Sequence, residues 1–318
     1  MNFKRISAAG LAVAMTASTA AFAAETTHPG ARVRPMLISA NPFAGSFNKV
    51  LILNGEELTG YTYTKETPGS WETEEVSVEL ANIANAPTGY VPLRAVAQAD
   101  HGSASWYKDE NQSFFHFNGV SIVVDFSDMS ISMNDEKVEE AAALIHEGVT
   151  YVPVSVLEKV EGVTVTDTST DEVESYEITT PNGTPIMKLA YQLMETAGLG
   201  ANMKNSPEEL EQFWGEAHGF KAEFMTEGVV FTGMMTTPDT LAVGKVAEGK
   251  LEDLKAAFES YRKQQADTFS WYLSQNLPKV ENAKFVTEGD WFMFIIAENA
   301  DEAVELFTDS VKALTEAE

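Results

Sequence analysis

A short strand that leads directly into an amphipathic helix is the clearest pattern in the chain. Tyr90 and Val91 are strand-forming residues, and Pro92 suits the first helical position because its missing N–H would have no partner there. Gly102 can adopt a positive φ and so end the helix. Apolar side chains recur at helical spacing after the proline, at Leu93, Val96 and Ala97. Residues 90–102 are therefore predicted to form a strand and a short helix.

Two alternating runs follow this helix. SASWY (103–107) and SFFHF (113–117) flank the polar segment KDENQ, which is the pattern of a β-hairpin. The same order returns from TYVPVSVLEKVEGVTV (150–165) onwards. Ahead of the first copy, VLIL (50–53) and Asn54-Gly55 predict a strand and a tight turn. A unit of strand, short helix and hairpin is thus predicted twice within residues 46–180.

Longer helical periods begin near residue 181. Thr184-Pro185 and Ser206-Pro207 each combine an N-cap residue with a proline in the first turn, and Glu209 completes a capping box. Further helices are predicted from about Leu251 and after Asn299. Strands are predicted in KAEFMTEGVVFTG (221–233), TLAVGKVAEG (240–249) and WFMFIIA (291–297). Residues 181–318 are therefore predicted to form a separate α+β domain, with a mainly antiparallel sheet packed by two or more helices.

The first residues carry the pattern of an export signal. Lys4 and Arg5 precede an alanine-rich apolar run, and Ala21-Phe22-Ala23 is a small-x-small cleavage motif. We interpret residues 1–23 as a signal peptide and 24–45 as a flexible leader, with an amphipathic first helix as the alternative. No other stretch approaches the roughly 20 apolar residues that cross a bilayer. We therefore expect a secreted protein that is extracellular or associated with the cell wall.

Composition narrows the classes of function. The chain has 48 acidic and 21 basic residues, a net charge of −27, which disfavours nucleic acid and anionic lipid surfaces as partners. It has no cysteine, which excludes a disulfide framework, a thiolate metal site and a cysteine nucleophile. The acidic segment 166–175 lacks the glycine and the ligand spacing of an EF-hand, so a solvated hairpin tip is favoured over a calcium loop.

The sequence offers no recognisable catalytic or metal-binding motif. The five histidines form no H-x-H or HExxH pair. G-x-S-x-G, S-x-x-K and the glycine-rich phosphate loops are also missing from the sequence. We therefore predict no catalytic residue, no metal site and no cofactor.

Residues 46–180 resemble the copper amine oxidase-like N-terminal domain, a stalk domain of many exported proteins of Gram-positive bacteria. The resemblance is carried by Asn54, Gly55, Tyr90 to Arg94, Gly102 and Trp106. The second copy departs from it, with Ser155 at the position of Arg94 and Thr166 near that of Trp106. In that family, catalysis lies in a separate domain with an Asn-Tyr cofactor motif and three histidine ligands of copper. The sequence has no Asn-Tyr pair, so the resemblance implies a stalk-like role without amine oxidase activity.

Residues 200–312 are similar to a bacterial family known only as a domain of unknown function, which is also common in exported proteins of Gram-positive bacteria. The segment DTLAVGKV, the charged helix containing ESYRKQQADTF and the segment VENAKFVTEGDWFMFIIAENADEAVELF carry this similarity. It implies no activity.

Four side chains are the candidates for ligand binding: Tyr90, Arg94, Trp106 and Tyr107. Arg94 lies in the first turn of a predicted helix, where a cation opposes the helix dipole and calls for an anionic partner. We favour a structural salt bridge with a carboxylate of the protein, and the alternative is that Arg94 binds a ligand. The three aromatic residues, together with Phe115, form either a glycan-binding surface or part of the core, and core packing is favoured.

These features favour an exported, non-enzymatic binding or structural protein with an unknown ligand. A cell-wall polymer or another exported protein is the expected partner. Two alternatives remain, an exported enzyme that acts on cell-wall polymers and a binder or inhibitor of another exported protein.

Overall fold

The structure of the chain is a computed structural model that describes residues 49–66, 73–83, 86–200, 202–234 and 236–316. The predicted signal peptide and leader lie outside the described residues. The chain divides into two compact units, the first ending at Pro181 and the second beginning at Asn182. Both contain helices and mainly antiparallel sheets, so the fold class is α+β.

The described residues of the first unit form short strands and two short α-helices. In chain order, its elements are β1 (Lys49–Leu53), β2 (Glu56–Glu57), β3 (Gly60–Glu66), β4 (Thr73–Glu79), β5 (Tyr90–Pro92), α1 (Leu93–Ala99), β6 (Ser103–Tyr107), β7 (Gln112–Phe117), β8 (Val120–Asp125), β9 (Ser130–Met133), β10 (Glu136–Ala142), β11 (Leu144–His146), β12 (Val149–Pro153), α2 (Val154–Leu157), β13 (Thr164–Asp167) and β14 (Glu174–Thr179). Its sheets have the orders β13-β14-β1-β2, β10-β9-β8-β7-β6, β11-β12-β5 and β3-β4.

The two Tyr-Val-Pro stretches pair with each other. Strands β5 and β12 are antiparallel, with Tyr90 opposite Pro153 and Pro92 opposite Tyr151. Each strand leads into a short helix and then into an antiparallel pair, β6 with β7 and β13 with β14. Apolar side chains of both stretches lie in one core.

The boundaries of α1 correct two details of the prediction. Pro92 is the last residue of β5 and the N-cap of a helix that begins at Leu93. His101, with φ of 60°, takes the left-handed conformation predicted for Gly102. Gly102 is needed for a different reason, because a Cβ at this position would overlap the carbonyl oxygen of His116.

Buried polar contacts join the beginning and the end of the first unit. Strand β1 pairs in parallel with β14, and Lys49 forms a buried ion pair with Glu174. Glu174 also accepts hydrogen bonds from the hydroxyl of Tyr176 at 2.9 Å and from the backbone N–H of Gly89 at 2.7 Å. The acidic segment 166–175 was expected to be solvated, and Glu174 is the exception because it faces the core.

The second unit contains one five-stranded antiparallel sheet. Its elements are α3 (Pro185–Ala197), β15 (Met203–Asn205), α4 (Pro207–His218), β16 (Met225–Thr232), β17 (Thr240–Val246), α5 (Leu251–Trp271), α6 (Leu277–Glu281), β18 (Lys284–Glu288), β19 (Trp291–Ile296) and α7 (Ala300–Glu316). The strand order is β15-β16-β17-β19-β18, so β19 is an interior strand, as its apolar sequence predicted.

Helices cover the two faces of this sheet with separate apolar cores. Alternate strand residues such as Met293 pack with α3 and α7, whereas Phe292 and Phe294 pack with α4 and α5. The predicted helix starts are confirmed: Thr184 caps α3, and Ser206 and Glu209 form the capping box of α4. No helix in the described part of the chain is long and apolar enough to cross a membrane.

Candidate binding site around Arg94

Arg94 contacts a hairpin that the sequence did not connect with it. The guanidinium carbon lies 5.4 Å from the centre of the Tyr63 ring, which is a cation–π contact. Its Nη1 donates to the carbonyl oxygen of Ala104 at 3.4 Å. Among the described residues, no carboxylate oxygen lies within 4.0 Å of this guanidinium. The favoured salt bridge is therefore not found in that part of the chain.

The surroundings of Arg94 are poorly solvated. Burial lowers the pKa of its guanidinium, and the neighbouring Tyr61 and Tyr63 oppose this shift. Burial raises the pKa of Tyr61 to about 12, although the positive charge of Arg94 acts in the opposite direction. The guanidinium is thus a partly buried cation whose contacts are a ring face and a neutral carbonyl oxygen.

Tyr61 also lines a cleft along the hairpin of β3 and β4. The cleft has a volume of about 540 Å3, within the usual range of roughly 300–1,000 Å3 for small-molecule sites. Ser77 and Glu79 of β4 line it as well. Tyr61, which interacts electrostatically with Arg94, lines this cleft, whereas Arg94 itself does not.

Trp106 and Tyr107 do not form one surface. They are successive residues of the edge strand β6 and point to opposite faces of the sheet. Trp106 is 44% exposed and packs edge-on against Phe126, with ring centres 5.2 Å apart. Tyr107 is 50% exposed and packs edge-on against Phe114 at 4.8 Å. Both rings are accessible, but a flat ligand can meet only one of them.

The other two aromatic candidates lie deeper. Phe115 is fully buried in the core, as favoured from the sequence. Tyr90 is half-buried on β5 and packs against the core of the first unit. The structure therefore does not gather Tyr90, Trp106, Tyr107 and Phe115 into one aromatic surface.

The second copy of the motif lacks the features of this site. Ser155 occupies the position of Arg94 and is exposed. Tyr151, the counterpart of Tyr90, is fully buried, and burial raises its pKa. The two copies therefore differ in chemistry although they have the same order of elements.

Tyr61 and Tyr63 were not among the candidate residues identified from the sequence. Their spacing of two residues in GYTYT (60–64) places both rings on one face of a strand, and this alternation was the available signal. Nothing in the sequence indicated that this face would meet α1. Histidine and carboxylate side chains do not gather in groups of three or more that could hold a metal within the described residues.

Two family models match separate segments of the chain. Residues 71–175 match the copper amine oxidase N-terminal domain, and residues 201–297 match a domain of unknown function (DUF4358). Together these two matches confirm the resemblances noted from the sequence. No curated protein and no solved structure matches the chain.

Proposed function

We propose that the protein is an exported, non-enzymatic binding or structural protein of the cell envelope or extracellular space. In this proposal, residues 1–23 are removed as a signal peptide and 24–45 form a leader. Residues 46–180 form a stalk-like domain of two strand–helix–hairpin repeats, and residues 181–318 form a second α+β domain.

The environment of Arg94 is the main support for this proposal. The chain has more than twice as many acidic as basic residues, yet this half-buried guanidinium contacts no carboxylate among the described residues. A carboxylate or phosphate group on a cell-wall polymer would supply the missing anion through charge-assisted hydrogen bonds. The adjoining cleft at Tyr61 has space for the chain that carries this group.

The family match is consistent with the non-enzymatic part of this proposal. It covers the N-terminal domain named after copper amine oxidase, and catalysis in that family belongs to another domain. Trp106 and Tyr107 add exposed rings to the same unit, and sugar rings stack on such faces. These rings are secondary contacts in the proposal because they lie on opposite faces of the sheet.

Co-sedimentation with purified cell-wall material tests the proposal. We expect the wild-type protein to sediment with the wall without releasing soluble sugars or peptides. Arg94→Gln should weaken binding at least about tenfold, since a charged hydrogen bond contributes about 1.5–3 kcal/mol and each 1.4 kcal/mol is tenfold. Lys159→Gln removes an exposed cation from the same unit and is the matched control.

Three outcomes would overturn this assignment. Equal binding by Arg94→Gln and the wild type, with both folded by circular dichroism, would remove Arg94 from the site. Release of sugars or peptides above heat-inactivated and mock-purified controls would favour an enzyme acting on wall polymers. Capture of one defined exported protein, without wall binding, would favour a binder or inhibitor of that protein.

A further inference from the structure

A separate cleft in the second unit lies between α5 and the edge strand β18. Its volume is about 340 Å3, which suits a small molecule. Its lining includes Lys255, Phe258, Glu259, Arg262, Phe285 and Phe294. The first four residues are spaced at i, i+3, i+4 and i+7, so one face of α5 forms a wall of the cleft.

The floor of the cleft is aromatic. Phe258 and Phe294 are buried and stack with ring centres 4.7 Å apart. Phe285 is only half-buried and stacks nearly parallel to Phe292 at 5.9 Å. An apolar ligand that covers Phe285 would remove this exposed ring surface from water, which favours binding.

Arg262 is held in a fixed orientation at one end. Its Nε and Nη2 each donate to an oxygen of Glu259 at 2.7 Å. Its Nη1 donates to no other described residue. A guanidinium fixed in this way presents donors to a ligand with little further loss of side-chain entropy.

Lys255 is a second cation and lies at the end of the cleft opposite Arg262. It lies seven positions before Arg262 along α5, which corresponds to a rise of roughly 10 Å at 1.5 Å per residue. Its Nζ lies 5.9 Å from the centre of the Phe285 ring and 3.4 Å from the exposed carboxylate of Glu252. The charged residues that line the cleft are two cations, Lys255 and Arg262, and one carboxylate, Glu259, so the lining favours an anion over a cation.

We propose that this cleft binds a small organic anion with an aromatic or branched apolar body. Its carboxylate meets Arg262, and its apolar body lies on Phe285 and Phe258. A second polar group on a longer ligand reaches Lys255. This site shares no residue with the Arg94 region. The two binding proposals can therefore be tested separately, and the failure of one does not affect the other.

Two probes that share a ring system but differ in charge test the proposal. Indole-3-acetate and tryptamine are titrated separately into the isotopically labelled full-length protein, followed by amide NMR shifts. We expect saturable binding of indole-3-acetate with shifts at Phe258, Ala283 and Phe285. Tryptamine should bind at least about tenfold more weakly, a difference of about 1.4 kcal/mol.

Three variants locate the site. Arg262→Gln should weaken binding of indole-3-acetate at least about fivefold, consistent with loss of a charged hydrogen bond. Ala283→Leu should also weaken it, because this residue lines the cleft and the larger side chain fills it without changing a charge. Lys312→Gln removes an exposed cation from α7 and should leave binding unchanged. Tighter binding of tryptamine, no saturable binding of indole-3-acetate, or wild-type affinity in folded Arg262→Gln would each overturn the proposal.

Discussion

The two units of the chain both have apolar cores, but the first also has a buried ion pair between its two ends. In the first unit, the beginning and the end of the fold meet through polar groups. Lys49 pairs with Glu174, 125 residues away, and Asn54 and Asp100 both hydrogen-bond to Thr180. In the second unit, rings of Trp214, Phe258 and Phe294 fill the face of the sheet under α4 and α5.

This difference affects how each unit tolerates substitution. Truncating an aromatic side chain leaves a cavity, and the neighbouring side chains relax into part of it. Removing one member of a buried ion pair leaves a buried group without its counter-ion, which is strongly destabilising. The first unit should therefore depend on a few specific polar contacts in addition to its apolar core, whereas the aromatic cluster of the second unit should tolerate truncation more gradually.

Loss of the Glu174 carboxylate is the largest predicted effect. Glu174→Ala leaves Lys49 charged and buried, and it removes the acceptor of Tyr176 and Gly89. We expect the free energy of unfolding of the first unit to fall by about 3–5 kcal/mol. Hydrogen exchange followed by mass spectrometry reports each unit separately, and exchange in residues 182–316 should change little.

The double variant Lys49→Met with Glu174→Leu is the matched control. It replaces both charges by apolar side chains of similar size, which is often neutral or stabilising for buried pairs. Most of the lost stability should therefore return. If the double variant is as unstable as Glu174→Ala, then shape and the contacts of Tyr176 matter more than the charges.

Local signals in the sequence predicted much of the fold. Ser206 with Glu209, Thr184 with Pro185, and Asn54 with Gly55 each encode a cap or turn within a few residues, and all three occur in the structure. Alternation likewise predicted the pair β6 and β7. These features depend on neighbours along the chain, which a sequence shows directly.

Contacts between distant segments were not predictable in the same way. The parallel pairing of β1 with β14 and the ion pair of Lys49 with Glu174 join residues that no local pattern relates. The partner of Arg94 was missed for the same reason. Charge alone favoured a carboxylate, whereas the fold brings the ring of Tyr63 to the guanidinium.

Alkaline pH should lower the stability of the first unit through Tyr61, by a smaller amount. Burial raises the pKa of Tyr61 to about 12, above the value of about 10 for an unfolded chain. The folded state therefore resists ionisation, and the stability that this contributes is complete below pH 10 and is lost as the pH rises towards 12. Each pH unit in this range should remove up to about 1.4 kcal/mol through Tyr61.

Tyr61→Phe isolates this contribution. The variant cannot ionise at this position, so the unfolding free energy of the first unit should fall less steeply above pH 10 than in the wild type. Lys49, whose pKa is lowered by burial, is present in both proteins and cancels in the comparison. Equal slopes in the two proteins, measured by urea unfolding at several pH values, would show that Tyr61 ionises freely in the folded state.

Removal of a helix N-cap should give the smallest change in stability, and only in the second unit. The helices α1 and α2 begin after Pro92 and Pro153, which provide no side-chain cap, whereas Ser206 accepts the N–H of Glu209 at 3.2 Å in α4. Ser206→Ala should therefore lower the stability of the second unit by about 1 kcal/mol, and Ser206→Gly by only a few tenths. Thermal unfolding of both variants, with exchange at α4 as the local probe, measures the difference. Equal stabilities of Ser206→Ala and Ser206→Gly would show that packing of Leu210 and Trp214, rather than the cap, fixes the start of α4. The second unit would then rely on apolar contacts even at the ends of its helices.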